Sequence, residues 1–183
     1  KTNQGPEADA RNARYEALEK YREELGADYI LTGHNLDDQA ETVLLGLTRG
    51  SGLKSIAGMK QVDGYLVRPL LGIEKAELQK ACRDSGVDYW EDPHNQDDSF
   101  TRVRIRKLMQ RIESELGPGV NQSLSRTAAI ATEVDDYLTQ SAKELIESSR
   151  VEGGFSVAVL SAAHVAVRNK ALQMLCLEAG ASS

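Results

Sequence analysis

Cysteine is nearly absent: Cys82 and Cys176 are the two in the chain, far apart and without C-x-x-C spacing, which argues against a disulfide scaffold, an iron–sulfur cluster and a zinc knuckle. A reducing, cytoplasmic setting is therefore expected. Aromatic residues are also scarce, at 5% of 183 residues against 40% apolar residues in all, so the core must rest on Leu, Ile, Val and Ala, as in a helix-rich soluble chain. No apolar run approaches the roughly 18 residues of a membrane-spanning helix. The opening Lys1-Thr2-Asn3-Gln4-Gly5-Pro6 has no apolar signal-peptide centre, so no membrane partner is expected. Positive charge is in deficit, with 22 Lys and Arg against 28 Asp and Glu for a net charge of −6. That balance disfavours adhesion of the whole surface to nucleic acid and confines any RNA contact to local basic patches. No internal repeat or low-complexity tract interrupts the chain.

What is present is a helix–strand–helix rhythm with short joints, the pattern of a parallel α/β sheet. Ala10, Ala13, Ala17, Leu18, Tyr21 and Leu25 recur at helical spacing up to Gly26, and Tyr29–Thr32 reads as a buried strand. A second helix runs from Leu36 to Arg49, with Ala40, Val43, Leu44 and Leu47 inward and Gly50 as its stop. Gly64–Pro69 reads as a short strand, Ile73–Ser85 as a helix, Val87–Trp90 as another strand carrying core aromatics, and Thr101–Leu116 as a helix. Gly117-Pro118-Gly119 is the clearest punctuation, and it places a boundary between an α/β domain over 1–116 and a small helical domain over 117–183. In the latter a long helix follows Val120, Phe155–Val159 forms a strand or an extended connection, and a last helix covers 163–178.

The densest polar constellation, Gly33-His34-Asn35-Leu36-Asp37-Asp38-Gln39-Ala40-Glu41-Thr42, sits where a strand hands over to a helix. Open α/β sheets bind ligands at that point, because strand carboxyl ends and helix N-termini open there together. Glu41 is four residues from Asp37 and three from Asp38, so it shares a helix face with either. Two carboxylates suit Mg²⁺, which leaves the rest of its shell to water and phosphate; equally, Asn35 caps the helix and the acids complement its positive end.

A second candidate is the run Arg102–Arg111, where Arg102, Arg104, Arg106, Lys107 and Arg111 occur with no acid between them. Helical spacing puts Ile105, Leu108, Met109 and Ile112 on a buried side, with Arg102 and Arg106 at its edge and Arg104, Lys107 and Arg111 pointing elsewhere. Those cations meet phosphates or form a solvated face paired with acids. Asp92-Pro93-His94-Asn95 reads as turn chemistry, Asp97-Asp98 as a cap, and His164 as an ordinary histidine near a Ser161 cap.

The string His34–Leu45, followed by Arg49-Gly50-Ser51-Gly52-Leu53, resembles the signature of the tRNA(Ile)-lysidine synthetase family of N-type ATP pyrophosphatases. Arg11–Tyr15, Arg68-Pro69-Leu70-Leu71, Glu91–Asn95 and Phe100–Arg106 are similar to further motifs of that family, so the resemblance covers residues 11 to about 112. It implies an adenine nucleotide alpha hydrolase-like fold. It also implies a ligase reaction: ATP activates C2 of the wobble cytidine of a tRNA(Ile) with a CAU anticodon as an adenylate, and free lysine then displaces AMP. The resemblance further implies Arg14, His34, Asp38 and Glu41 as catalytic residues, with Asp38 and Glu41 also as Mg²⁺ ligands. It implies His34, Arg102 and Arg106 at ATP, and Asp37, Arg49, Asp92, Asn95, Arg104, Lys107 and Arg111 at the substrates. Val103 stands where many relatives carry Asn, so one polar contact is expected to be missing. A homodimer is compatible with this reading.

The family's Ser-Gly-Gly-x-Asp-Ser phosphate loop does not occur here. Gly50-Ser51-Gly52 is no substitute, because it follows a helix instead of opening one. The expectation is a chain that starts inside the family's domain, is incomplete at its end as well, and is inactive in isolation. Two alternatives stay open: another PP-loop enzyme, such as a tRNA thiolase or an amide ligase, and an RNA-binding module that has lost its chemistry.

Overall fold

A computed structural model describes residues 6–50, 52–90, 97 and 99–181; the side chains of residues 6–8 and of Arg49 lie outside that description. The described chain forms two compact units, 1–128 and 129–183.

The first unit opens with α1 (Pro6–Glu24), β1 (Ile30–Leu31) and α2 (Leu36–Arg49), close to the limits that periodicity sets. Asn35 and Asp38 form a reciprocal capping box at the start of α2, and Gly50 closes the helix in the left-handed conformation at φ 66°. Next come α3 (Leu53–Ile56), β2 (Val62–Asp63), β3 (Leu66–Val67), α4 (Lys75–Asp84) and α5 (Thr101–Leu116).

Among the described residues the sheet has the order β1-β3-β2 and is mixed, where the sequence leads to the expectation of a parallel one. β1 pairs with β3 in parallel, Ile30 opposite Leu66, through the crossover that contains α2 and α3. β2 and β3 are antiparallel, because only the tight turn at Gly64, φ +60°, separates them and so short a connection reverses the chain. Val87–Trp90 is not a strand, and its Trp90 is 79% exposed. Among the described residues no strand pairs with this β-prone stretch, and without a ladder its backbone has no strand to join.

Ile30, Leu66, Leu36, Ala40, Val43, Met59, Leu71, Val103 and Met109 make the core of this unit. Val43 is wholly buried; burying a side chain of its kind contributes roughly 1.5–3 kcal/mol. α2 packs against both α3 and α5. At Gly46 the approach of α2 to α3 is so close that a Cβ would lie 1.9 Å from the Ser55 carbonyl oxygen.

α6 (Val120–Ser149) begins after Gly117-Pro118-Gly119, yet the two compact units divide within it, after Ala128. Asn121 and Gln122 bond to Asp37 and Glu74 and tie the first turn of α6 to the first unit.

In the second unit, Ala142 and Ile146 of α6 pack on Ala171 together with Phe155, Met174 and Leu175. A hairpin of β4 (Arg150–Val151) and β5 (Gly154–Phe155) leads to α7 (Val157–Ala162) and α8 (Val165–Glu178). The apolar run at 155–159 is thus split between strand and helix by Ser156, whose hydroxyl accepts the Val159 N–H. His164 is the cap of α8, accepting the Ala166 N–H through Nδ1. Among the described residues no helix is long and apolar enough to cross a membrane.

Candidate active site

Two cavities open around the start of α2. One, of about 310 Å³, is lined by Asn35, Asp37, Asp38 and Glu41 from α2, Lys75 from α4, Arg106 and Glu113 from α5, and Asn121 from α6. The other, of about 330 Å³, is lined by Arg14 and Tyr15 from α1, Thr32, Gly33 and His34 after β1, and Asp38. Asp38 lines both. The parallel pairing of β1 with β3 and the Asn35 cap make this placement, since together they deliver Thr32–Asp38 to the carboxyl edge of the sheet.

Glu41 is the most deeply placed acid of the first cavity, 2% exposed. Its Oε1 accepts from Arg106 Nε at 2.8 Å, and its Oε2 is buried without a hydrogen-bond partner. Burial pushes the Glu41 carboxyl above the ordinary glutamate range, with Asp38 adding to the rise, while the Arg106 hydrogen bond and charge pull against it. Arg106 Nη2 lies 3.9 Å from Asp38 Oδ1, so one guanidinium spans both carboxylates. Those acids hold the guanidinium proton more firmly than usual even though burial opposes it. Asp38 gives its other oxygen, Oδ2, to the Asn35 N–H at 3.0 Å, so capping and site membership coexist in one side chain.

Asp37 is committed differently. Its Oδ2 accepts the Lys75 N–H at 2.8 Å and its Oδ1 accepts from Asn121 Nδ2 at 3.2 Å.

In the second cavity His34 Nδ1 lies 2.8 Å from Thr32 Oγ1. The His34 pKa is lowered, first by burial and then by Arg68, Arg102 and Arg11, with Asp38 opposing. Neutral imidazole is the resulting form at pH 7. Arg14 is exposed and lies 5.7 Å from the Tyr15 ring centroid.

On α5 the buried residues are Val103 and Met109, and Arg106 lies between them at three-residue spacing. Leu108, expected inside, is 45% exposed. The inner face is centred on the Arg106–Glu41 contact instead of on Leu108. Arg104 bonds Ser99 O and Thr101 Oγ1, while Arg104, Lys107 and Arg111 are all exposed and recur on one face. Asp92 and Asn95 lie outside the described residues, as does the Arg49 side chain.

Lys75, Glu113 and Asn121 reach the first cavity without any sequence signal, since periodicity does not reveal which helix starts converge. Gln39, a member of the polar constellation at the start of α2, turns to the core. It is 5% exposed and clamps both the N–H and the C=O of Met59, at 2.8 and 3.0 Å. Its place on the same stripe as Leu36, Ala40 and Val43 was the available clue.

Among the described residues no three His, Cys, Asp or Glu side chains cluster as a ready-made metal cage. Mg²⁺ does not require one, because one or two carboxylates suffice when phosphate and water complete its shell. The partnerless Glu41 Oε2 and the neighbouring Asp38 fit that donor set.

Residues 1–112 match the PP-loop domain family, and the chain belongs to it. Over 178 residues it is 46% identical to the tRNA(Ile)-lysidine synthase of Rhodococcus erythropolis, covering 97% of this chain and 54% of that protein. It is 43% identical to the enzymes of the same name from Mycobacterium tuberculosis and Streptomyces coelicolor, over 97% of this chain and 55% and 52% of theirs. The chain thus spans about half the length of the curated relatives it matches. Among solved structures it is similar to the U34-tRNA thiolase NcsA from Methanococcus maripaludis with its [4Fe-4S] cluster. The TM-score there is 0.57 at 21% identity, over 72% of this chain and 45% of that one, a likeness of fold.

Proposed function

We propose that the protein containing this chain ligates lysine to C2 of the wobble cytidine of tRNA(Ile) with a CAU anticodon, at the expense of ATP. The observation that carries this reading is 43–46% identity with tRNA(Ile)-lysidine synthases over 97% of the chain. The geometry is consistent with it, because two cavities share the Asp38 wall, which suits a reaction that brings two groups together.

In this reading the cytidine O2 attacks the α-phosphorus of ATP and expels diphosphate. The lysine ε-nitrogen then attacks C2, the C2–O bond breaks, AMP leaves, and the amine gives up a proton. Arg14 and neutral His34 serve the cavity of the transferring phosphoryl group, with Arg102 on the nucleotide side. The first cavity receives the lysine amine, where Glu41, ionised and oriented by Arg106, takes up its proton, an uptake that burial of the carboxyl favours. Asp38, and Glu41 while it is ionised, are the side chains that would hold Mg²⁺, which would supply charge neutralisation at the phosphates. Arg104, Lys107 and Arg111, with Arg49, Asp92 and Asn95, serve the tRNA. Among the described residues no cysteine lines either cavity, which counts against sulfur transfer.

The test is incubation of the full-length enzyme with ATP, Mg²⁺, radiolabelled lysine and a tRNA(Ile) transcript bearing CAU. Lysine should become bound to RNA only when ATP is present; ATP-dependent AMP release without bound lysine would reject the reading.

A further inference from the structure

Asp37 joins three helix starts. Its Oδ2 accepts the Lys75 N–H at 2.8 Å, one of the donors that α4 cannot satisfy internally. The local cap residue of α4, Glu74, makes no side-chain cap bond, so Asp37 caps α4 from α2. Glu74 turns instead to α6, where its Oε1 accepts from Gln122 Nε2. The neighbouring Asn121 donates to Asp37 Oδ1 at 3.2 Å. Two adjacent links therefore run from the first turn of α6 to α2 and α4, and both of the Asp37 oxygens are used by protein groups. Asn121, Asp37 and Lys75 line the same cavity as Glu41 and Arg106.

We propose that Asp37 is a positioning residue which, through the Lys75 N–H and Asn121, fixes the starts of α4 and α6 as walls of the Glu41–Arg106 cavity. Its geometry, not its charge, is then what the site needs. The Oδ1 of Asn121, buried and without a hydrogen-bond partner among the described residues, makes this testable. In Asp37→Asn the new amide oxygen still accepts the Lys75 N–H. Its NH₂ can donate to Asn121 Oδ1 once the Asn121 amide turns over.

Three variants of the full-length enzyme separate the roles. Asp37→Ala and Asn121→Ala should raise the KM for lysine by about tenfold or more, as misplaced walls do, with kcat changed less. Asp37→Asn should recover most of that loss. Hydrogen exchange at the Lys75 amide should quicken in Asp37→Ala and stay slow in Asp37→Asn. The kinetic arm rests on the lysidine reading while the exchange arm does not, so the two ideas fail separately. Asp37→Asn as damaging to lysine KM as Asp37→Ala would overturn the proposal, by showing that the carboxylate charge itself meets substrate. Unchanged Lys75 exchange in Asp37→Ala would overturn it as well. Should Asp37→Ala not fold, Asn121→Ala and Asp37→Asn carry the same decision: Asn121→Ala with wild-type lysine KM contradicts a wall held by this link.

Discussion

Glu41 Oε1 and Arg106 Nε meet at 2.8 Å across the α2–α5 contact, and Glu41 keeps its second oxygen buried and unpaired. The pair is asymmetric: burial raises the Glu41 pKa, and Arg106, with a smaller contribution from Arg102, restrains the rise. Arg106→Gln removes that restraint. The Glu41 carboxyl should then titrate higher still, and the acid limb of the pH–rate profile of the full-length enzyme should move to higher pH by about one unit or more, the usual scale for losing a close opposite charge. An acid limb that stays where the wild type has it would detach Glu41 ionisation from activity.

His34 provides the opposite sign. Its folded-state pKa lies below the ordinary value of 6.5, so the folded protein binds fewer protons at this site than the unfolded chain. Its contribution to stability is complete above the unfolded pKa and is lost as pH falls through it toward the folded value. Asp38→Asn deletes a nearby charge that raises the His34 pKa, so the His34 Hε1 resonance should titrate at lower pH in that variant. A titration that moves upward would contradict the electrostatic picture of the second cavity.

The fold was legible wherever local chemistry decides it. The limits of α2 follow from Asn35 and Gly50, and the ends of α1 and α5 from Gly26 and Gly117. It was not legible where pairing decides. Nothing in Val87–Trp90 shows that no strand among the described residues pairs with it, and nothing in Gly64 alone says whether the strand it opens runs parallel to its neighbours or turns back. The site divides in the same way. Asp38, Glu41 and His34 announce themselves by lying at one strand-to-helix turn. Asn121 and Lys75 enter by helix convergence over long sequence separations, which no window of periodicity detects.

Gly46 tests the α2–α3 packing beneath the site. A Cβ there would lie 1.9 Å from the Ser55 carbonyl oxygen, and that backbone can yield only by moving α3. Gly46→Ala should destabilise the first unit by about 1–3 kcal/mol, the usual range for overpacking, seen as a lower midpoint in urea. A midpoint equal to or above the wild type would mean the helices stand farther apart.

Arg104, Lys107 and Arg111 form an exposed basic face in a chain of net charge −6. Replacing Lys107 and Arg111 together by Ala should weaken tRNA binding and flatten the log–log salt dependence by up to about two units, with ATP affinity nearly unchanged. An unchanged slope would place the tRNA backbone elsewhere.

The central claim is that the Asp38–Glu41–Arg106 centre builds lysidine. The most direct measurement is mass spectrometry of the nucleosides of tRNA(Ile), after treatment with ATP, lysine and either the wild-type full-length enzyme or its Glu41→Gln variant. Wild type should convert the wobble cytidine to lysidine, and Glu41→Gln should do so at least about a hundredfold more slowly, the scale of a lost proton-handling group. An unmodified cytidine with the wild-type enzyme, or equal conversion by both proteins, would contradict the account.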